Sequence, residues 1–291
     1  ARATPDAVLV RRRQDGVWRD VTASALLDDV QRAACGLIAA GVDVGDRVGL
    51  MSRTRYEWTV LDYAIWYAGG VTVPIYETSS AEQVEWILAD SGAVAVVVEN
   101  DRHAALLDEV RDRLPGLRAS WVLEPEGLAG IEATGADVDD ALLESRRTAP
   151  KGEDLATIIY TSGTTGDPKG VMLTHRNLLF IGAISGGMRG FGPDDLIYGV
   201  LPLSHVFGLA SVFLGGLYAG SCFLPRARFQ AEQALADIRA GITSLQGVPA
   251  MYAKLLAHIR ETGATIDGHK LRFTSAGGAP LDPALKCNCE T

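Results

Sequence analysis

The sequence has 291 residues, of which 47% are hydrophobic and 22% are charged, a composition that is ordinary for a globular protein and excludes a wholly disordered chain. The formal net charge of −9 argues against a nucleic-acid partner, because proteins that bind nucleic acid usually carry a basic face. Four cysteines are too few for a disulfide framework. Cys35 and Cys222 lie in apolar patterns and are predicted to be buried thiols, whereas Cys287 and Cys289 form only a weak metal pattern.

The N-terminal part of the chain alternates between strand and helix patterns. Strands are predicted at 18–22, 47–51, 71–75 and 93–98, and helices at 22–40, 56–67 and 80–89. Pro74 favours a sheet edge for the third strand, because proline has no N–H to donate to the ladder. The apolar run 93–98 is instead typical of a central parallel strand. Trp58, Trp66 and Trp86 stand at helical positions and are predicted to lie in the core of an α/β domain of layered sheets flanked by helices.

Residues 124–154 form an acidic segment, rich in glycine and alanine, that is weakly periodic apart from Asp139–Arg146. We interpret this segment as a loosely structured connector. The strand pattern Leu155–Tyr160 then opens a second region. The sequence therefore predicts two subdomains: an N-terminal α/β subdomain with the acidic connector over 1–154, and a second α/β subdomain over 155–291.

The stretch Leu196–Pro225 contains no Asp, Glu, Lys or Arg and is long enough to span a bilayer. Pro202 and the polar pair Ser204 and His205 divide it into shorter pieces. A strand, a loop and a buried helix are therefore predicted instead of a membrane span. The polar start of the chain is unlike a secretory leader, so a cytoplasmic protein is expected.

The segment Tyr160–Gly170 follows the predicted strand directly and carries the clearest chemical signal. Its glycines let backbone N–H groups approach an anion closely, its hydroxyl side chains add donors, and Lys169 supplies a compact positive charge. Thr161 can also offer a hydroxyl oxygen to Mg²⁺, which prefers oxygen ligands. The spacing fits neither a Walker A loop, nor a GxGxxG fingerprint, nor a GxSxG nucleophile elbow. A polyphosphate-binding loop is predicted, with a surface turn as the alternative.

Tyr160–Gly170 is similar to the signature loop of the AMP-forming adenylating superfamily, which includes acyl-CoA synthetases, firefly luciferases and the adenylation domains of peptide synthetases. Leu201–Gly208 resembles the second core motif of that superfamily, whose histidine lies beside the acyl pocket. Gly247–Ala250 and Ser275–Leu281 resemble the adenine-side wall of the nucleotide site. Val73–Ser80 looks like the matching stretch of bacterial long-chain fatty acyl-CoA synthetases.

This resemblance implies the N-terminal subdomains of the adenylate-forming fold and a reaction in two halves. A fatty carboxylate attacks the α-phosphate of Mg-ATP to give an acyl-adenylate and pyrophosphate, and the thiol of coenzyme A then displaces AMP. It implies catalytic roles for Lys169 and His205 and a Mg²⁺ contact for Thr161. The implied nucleotide-binding residues are Thr161, Ser162, Gly163, Thr164, Thr165, Gly166, Lys169, Gly277, Gly278, Ala279 and Pro280.

The sequence departs from the family after the adenine-side wall. Residues 286–291 do not match the Tyr-Gly-x-Thr-Glu motif expected there, and the ribose-binding Asp and the C-terminal domain with its catalytic Lys are not found. We therefore expect a long-chain fatty acid–CoA ligase in a truncated form that is inactive alone. The alternatives are a fatty acyl-AMP ligase and a non-catalytic piece that binds nucleotide or an acyl chain. Uncovered apolar surface favours a homodimer or other association, and a lipid substrate favours peripheral contact with a membrane.

Overall fold

The structure is a computed structural model that describes residues 3–14, 17–161 and 167–290, without the side chains of 287–290. The strands are β1 (Val8–Gln14), β2 (Val17–Thr22), β3 (Arg47–Met51), β4 (Val71–Ile75), β5 (Ala93–Val98), β6 (Ala119–Val122), β7 (Leu155–Thr161), β8 (Lys169–Thr174), β9 (Leu196–Gly199), β10 (Cys222–Pro225), β11 (Ser244–Gly247) and β12 (Phe273–Ala276). The α-helices are α1 (Ala23–Ala39), α2 (Tyr56–Tyr67), α3 (Ala81–Ser91), α4 (Asp101–Asp108), α5 (Ala129–Glu132), α6 (Asp140–Thr148), α7 (His175–Arg189), α8 (Gly215–Tyr218), α9 (Ala231–Arg239), α10 (Pro249–Thr262) and α11 (Pro283–Glu290). A π-helix spans Phe207–Leu214, and short 3₁₀ turns span Arg111–Arg113 and Ala133–Gly135.

Local sequence signals set most of these boundaries. The Thr22 side chain accepts a hydrogen bond from the Ala25 N–H at the start of α1, as an N-cap residue does. Ser80 and Gln83 form a reciprocal capping box at the start of α3. The uncharged stretch folds as β9, a loop, the π-helix with α8, and β10, as predicted. None of the helices in the described part of the chain is long and apolar enough to cross a membrane.

The strands form two six-stranded sheets. Sheet I has the order β6-β5-β3-β4-β7-β8, and sheet II has the order β12-β11-β9-β10-β1-β2. The pairs β1–β2 and β7–β8 are antiparallel hairpins at the sheet edges, and the other pairs are parallel. Helices cover the sheets, so the predicted class of layered α/β sheets flanked by helices is confirmed.

Each sheet takes strands from both sides of the predicted subdomain boundary at 154/155. β1 joins sheet II through the pair Val10↔Phe223, although it lies at the start of the chain. β7 joins sheet I through the pair Thr72↔Thr157, although it follows the boundary. The division in the sequence therefore does not coincide with the division between the sheets, because a strand pattern does not specify which strand becomes its partner.

Two local expectations are wrong. β4 is a central strand and not an edge, with Pro74 paired to Leu50 of β3. β4 pairs with β7 at Thr72, two residues before Pro74. The N–H that Pro74 lacks is therefore not needed for that pairing. The acidic segment is also not loose, because α5 and α6 bury Ile131 and Leu143 in the core.

The largest apolar cluster lies between the two sheets and fixes one against the other. It includes Leu37 of α1 and Trp58 of α2, both fully buried, together with Phe213 of the π-helix and Phe223 of β10. The rings of Phe213 and Phe223 pack with centroids 5.0 Å apart. Side chains from both halves of the sequence thus share one core, which positions the carboxyl ends of β7 and β9 relative to each other.

Candidate functional site

The β7–β8 hairpin carries the first group of predicted site residues. Thr161 at the end of β7 pairs directly with Lys169 at the start of β8, and both are exposed. Ser162, Gly163, Thr164, Thr165 and Gly166, which connect the two strands, lie outside the described residues. The structure therefore brings Thr161 and Lys169 together at the carboxyl end of β7, where open α/β sheets commonly bind ligands.

Two side-chain contacts from α3 hold this hairpin. The Trp86 Nε1–H donates to the carbonyl oxygen of Pro168 at 2.9 Å, and the Tyr160 hydroxyl donates to the Asp90 carboxylate at 2.6 Å. Burial, reinforced by Asp90, raises the pKa of the Tyr160 phenol, so the hydroxyl remains a donor. Trp86 is 38% exposed and is not the core residue that its helical position predicted. Its indole N–H is the signal that could have indicated a polar role.

A cleft of about 310 Å³ opens beside the hairpin. It is lined by Pro74, Tyr76, Thr78, Ser79, Gln83, Ile87, Ile159, Tyr160, Thr161, Pro168, His205 and Val206. The cleft brings together Thr161 at the end of β7 in sheet I and His205 in the loop that follows β9 of sheet II. It also includes Tyr76, Thr78 and Gln83, which the sequence analysis did not single out as site residues. Tyr76 and Thr78 lie in the stretch Val73–Ser80, and its resemblance to the fatty acyl-CoA synthetases was the available signal, whereas Gln83 lies in α3 outside that stretch.

His205 lies in the loop that joins β9 to the π-helix, residues 200–206, here called the histidine loop. Its Nδ1 accepts a hydrogen bond from the Phe207 N–H at 3.0 Å. In a neutral imidazole this contact leaves the proton on Nε2, so the exposed ring presents a donor to the cleft. The chemistry available at His205 is therefore a hydrogen bond to an acceptor such as a carboxylate oxygen.

The spacing Pro202, His205, Gly208 has a steric reason. The His205 N–H donates to the carbonyl oxygen of Pro202 at 3.1 Å, which turns the loop back on itself. A Cβ atom on Gly208 would lie 2.2 Å from that same carbonyl oxygen, so only glycine fits there. The π-helix then continues to Leu214, and π-helical segments are frequent at functional sites.

Gly277 lies against the start of the π-helix. A Cβ on Gly277 would lie 3.1 Å from a ring carbon of Phe207, and its N–H donates to the carbonyl of Gly247 at 3.0 Å. Gly278 adopts a φ of +76°, which favours glycine. The predicted adenine-side segment is thus next to the histidine loop. Gly277, Gly278, Ala279 and Pro280 are not among the described residues that line the 310 Å³ cleft.

The described residues contain no group of three or more His, Cys, Asp or Glu side chains that could hold a metal ion. Cys35 and Cys222 are free thiols and are only partly buried, less than predicted. Burial raises the pKa of the Cys222 thiol to about 11, which keeps it protonated and unreactive. The side chains of Cys287 and Cys289 lie outside the described residues.

A second cleft of about 380 Å³ lies among α1, α2, α7 and α8 and is mainly apolar. Leu26, Tyr63, Trp66 and Leu178 contribute to its walls, with His175 at one end. It contains none of the residues predicted for the site. His175 begins α7 next to Thr174, which pairs with Leu155 at the amino end of β7, whereas Thr161 lies at the carboxyl end of that strand.

A family model described as AMP-binding enzyme matches residues 1–291. The long-chain-fatty-acid–CoA ligase FadD15 of Mycobacterium bovis is 47% identical over 217 residues, which cover 72% of this chain and 36% of that protein. The chain thus spans just over a third of the length of this relative.

Two solved structures are similar over almost the whole chain. The inhibitor-bound N-terminal domain of FACL13 from Mycobacterium tuberculosis gives a TM-score of 0.86 at 26% identity, covering 100% of this chain and 70% of that one. ATP-bound MatB from Rhodopseudomonas palustris gives a TM-score of 0.83 at 26% identity, covering 98% of this chain and 54% of that one.

Proposed function

The chain belongs to the AMP-binding enzyme family, and from that premise we propose that it carries the adenylate-forming site of a long-chain fatty acid–CoA ligase. The observation that supports this most strongly is the single cleft that Thr161 and His205 share, with Lys169 opposite Thr161 in the hairpin. The hairpin that would bind phosphate and the His205 donor that would bind a carboxylate therefore line the same cleft. The name of FadD15 supports the fatty acid as substrate, and ATP-bound MatB supports ATP.

In the first half-reaction, the β- and γ-phosphates of ATP contact the β7–β8 hairpin. Lys169 neutralises negative charge on the departing pyrophosphate, and the Thr161 hydroxyl adds a hydrogen bond. Ser162–Gly166 would supply further N–H and hydroxyl donors. Donors and positive charges that are fixed before a reaction stabilise charge as it develops on the leaving group.

Mg²⁺ would accompany ATP, and its contribution when bound is positive charge beside the phosphate oxygens. The described residues of the cleft offer hydroxyl oxygens, such as that of Thr161, but no carboxylate, and the amide oxygen of Gln83 is already bonded to the Ser80 N–H. This donor set suits a hard cation whose remaining ligands are phosphate oxygens and water. Thr161 is the residue we propose for contact with it.

His205 would hold the fatty acid. Its Nε2–H donates to one carboxylate oxygen, while the other oxygen is free to attack the α-phosphorus and release pyrophosphate. Gly277, Gly278, Ala279 and Pro280, beside Phe207, would form the wall for the adenine. In the second half-reaction, the thiol of coenzyme A attacks the acyl carbonyl, forms the thioester and releases AMP.

ATP–pyrophosphate exchange with saturated fatty acids of different length, alone and with Lys169→Ala, tests this proposal. The sequence led us to expect a chain that is inactive alone, but the cleft shared by Thr161 and His205 leads us to expect exchange that depends on the acid. In the variant this exchange should fall about 10²–10³-fold, which is typical of losing one preorganised group. Lys254→Ala, at an exposed position of α10, is the matched control and should retain the parent rate.

The outcomes of that assay distinguish a CoA ligase from a fatty acyl-AMP ligase and from a non-catalytic binding piece. Exchange without thioester formation on adding coenzyme A would favour a fatty acyl-AMP ligase. A folded protein that gives no exchange with any acid would overturn the proposal and favour a non-catalytic binding piece. A rate unchanged in Lys169→Ala would remove that residue from the site.

A further inference from the structure

The histidine loop is joined to sheet I by one buried side chain. The Thr54 hydroxyl donates to the carbonyl oxygen of Leu201 at 3.1 Å and accepts from the Leu203 N–H at 3.2 Å. Thr54 is only 4% exposed and lies in the loop between β3 and α2. It is 147 residues away from Leu201 in sequence, so no local motif reports this contact.

The loop that carries Thr54 is itself firmly held. Glu99, which follows β5 and is 1% exposed, accepts from the Arg53 backbone N–H at 2.8 Å and from the Arg53 Nε at 2.7 Å. The Ser52 hydroxyl donates to the same carboxylate at 3.3 Å. Burial alone would raise the pKa of Glu99, but the hydrogen bonds and charge of Arg53 outweigh it and lower the pKa. Hydrogen bonds to the ionised Glu99 carboxylate therefore fix the loop that carries Thr54.

Only a side chain that both donates and accepts can satisfy the two backbone groups of the histidine loop. A hydroxyl does so from a single atom. Without it, one buried carbonyl and one buried N–H would be unpaired, and the loop would gain by rearranging to pair them elsewhere. The residues affected stand immediately before His205, whose own N–H bonds back to Pro202 in the same turn.

We propose that Thr54 is the positioning residue for His205 and that it acts across the boundary between the two sheets. By fixing residues 201–203, it keeps the His205 Nδ1 on the Phe207 N–H and so keeps the Nε2–H directed to the cleft. The role of this donor toward a carboxylate rests on the proposed function. The position of the His205 ring does not depend on that function, so the position of the ring and the binding of a carboxylate can be measured separately.

Thr54→Val keeps the shape of the side chain and removes both hydrogen bonds, whereas Thr54→Ser keeps them. The KM for the fatty acid should rise about 10-fold in Thr54→Val, the effect of losing roughly one well-placed hydrogen bond, and Thr54→Ser should restore it. The KM for ATP should change less than about 2-fold, because Lys169 and Thr161 are held independently. Thr54→Ala is the second variant if the valine variant fails to fold.

Thr243→Val is the matched control. The Thr243 hydroxyl also accepts from a backbone N–H, that of Leu196 at 3.0 Å, and donates to Asp195 at 2.6 Å. Thr243 immediately precedes β11 and is buried beside Leu196, the first residue of β9. The histidine loop follows the other end of β9. A general loss of stability would affect this variant as well, so an increase in the KM for the acid confined to Thr54→Val identifies positioning.

A second readout needs no activity. Nitrogen-15 NMR of the histidine side chains reports which ring nitrogen carries the proton, and His205→Asn assigns the signal. The parent and Thr54→Ser should show His205 protonated on Nε2, and Thr54→Val should show a mixture of tautomers. An unchanged tautomer in Thr54→Val overturns the inference even if the protein shows no exchange. In an active protein, an unchanged KM for the acid overturns it as well.

Discussion

The β7–β8 hairpin and the histidine loop meet in one cleft but are held by different forces. The end of the hairpin that carries Thr161 and Lys169 is exposed, and hydrogen bonds from Trp86 to Pro168 and from Tyr160 to Asp90 attach the hairpin to α3. The histidine loop is held by the close approach of backbone at Gly208 and by the buried hydroxyl of Thr54. The hairpin can therefore tolerate small changes that the histidine loop cannot.

The physical reason is the difference between a partly exposed hydrogen bond and a steric contact. A hydrogen bond that is lost near solvent is partly replaced by water, and its net contribution is about 1 kcal/mol. A backbone carbonyl pressed against a new Cβ cannot rotate away, so the whole loop must move. Three substitutions, which differ in the size of their expected effect, test this difference between the hairpin and the histidine loop.

Gly208→Ala should have the largest effect. The added Cβ would lie 2.2 Å from the Pro202 carbonyl oxygen, so we expect about 3 kcal/mol of destabilisation and loss of acid-dependent exchange. Urea unfolding and the exchange assay measure the two quantities. Gly192→Ala is the control, because nothing lies within 4 Å of the Cβ built there. Equal stability of the two variants would show that the histidine loop can accommodate a Cβ atom at position 208.

Asp62→Asn should have an intermediate effect that depends on pH. Asp62 of α2 is fully buried with neither carboxylate oxygen hydrogen-bonded, and this burial raises its pKa from 3.8 to about 7. The unfolded chain ionises first, so the parent loses stability as pH rises from about 4 to about 7. Above that range, the folded state contains a buried, unpaired charge.

The asparagine variant lacks this dependence and should gain about 2–3 kcal/mol relative to the parent between pH 5 and pH 8. Urea unfolding at both pH values measures the gain. Because β4 pairs with β7 at Thr72, the result also shows whether the packing beneath the hairpin responds to pH. A stability difference that is the same at both pH values would contradict the raised pKa of Asp62.

Trp86→Phe should have the smallest effect. It removes the hydrogen bond to the Pro168 carbonyl while retaining an aromatic ring on α3, so the KM for ATP should rise only about 2–5-fold, or roughly 1 kcal/mol or less. The KM for the acid should not change. Trp121→Phe on β6, outside the cleft, is the matched control. A 100-fold loss in Trp86→Phe would show that the hairpin is as sensitive as the histidine loop.

Parts of the site were accessible from the sequence because their signals are local. The run of glycines, hydroxyls and Lys169 indicated a phosphate loop, and the spacing Pro202, His205, Gly208 indicated a second motif. The structure brings Thr161 and His205 into one cleft, while the roles assigned to them remain predictions. Trp86 was misplaced because its helical position does not reveal that its N–H bonds to a residue 82 positions away.

The local elements follow from the sequence alone, because caps, turns and alternating apolar residues act over a few neighbouring positions. Thr22 and Ser80 begin their helices as predicted, and the strand expected at 155–160 is β7. Long-range packing, in contrast, places β1 in sheet II, makes β4 central despite Pro74, and brings Thr54 to the histidine loop. Those outcomes depend on which apolar faces bury each other and which buried polar groups then find partners. Both are decided by contacts between residues far apart in sequence, from Thr72 with Thr157, 85 positions apart, to Thr54 with Leu201, 147 positions apart.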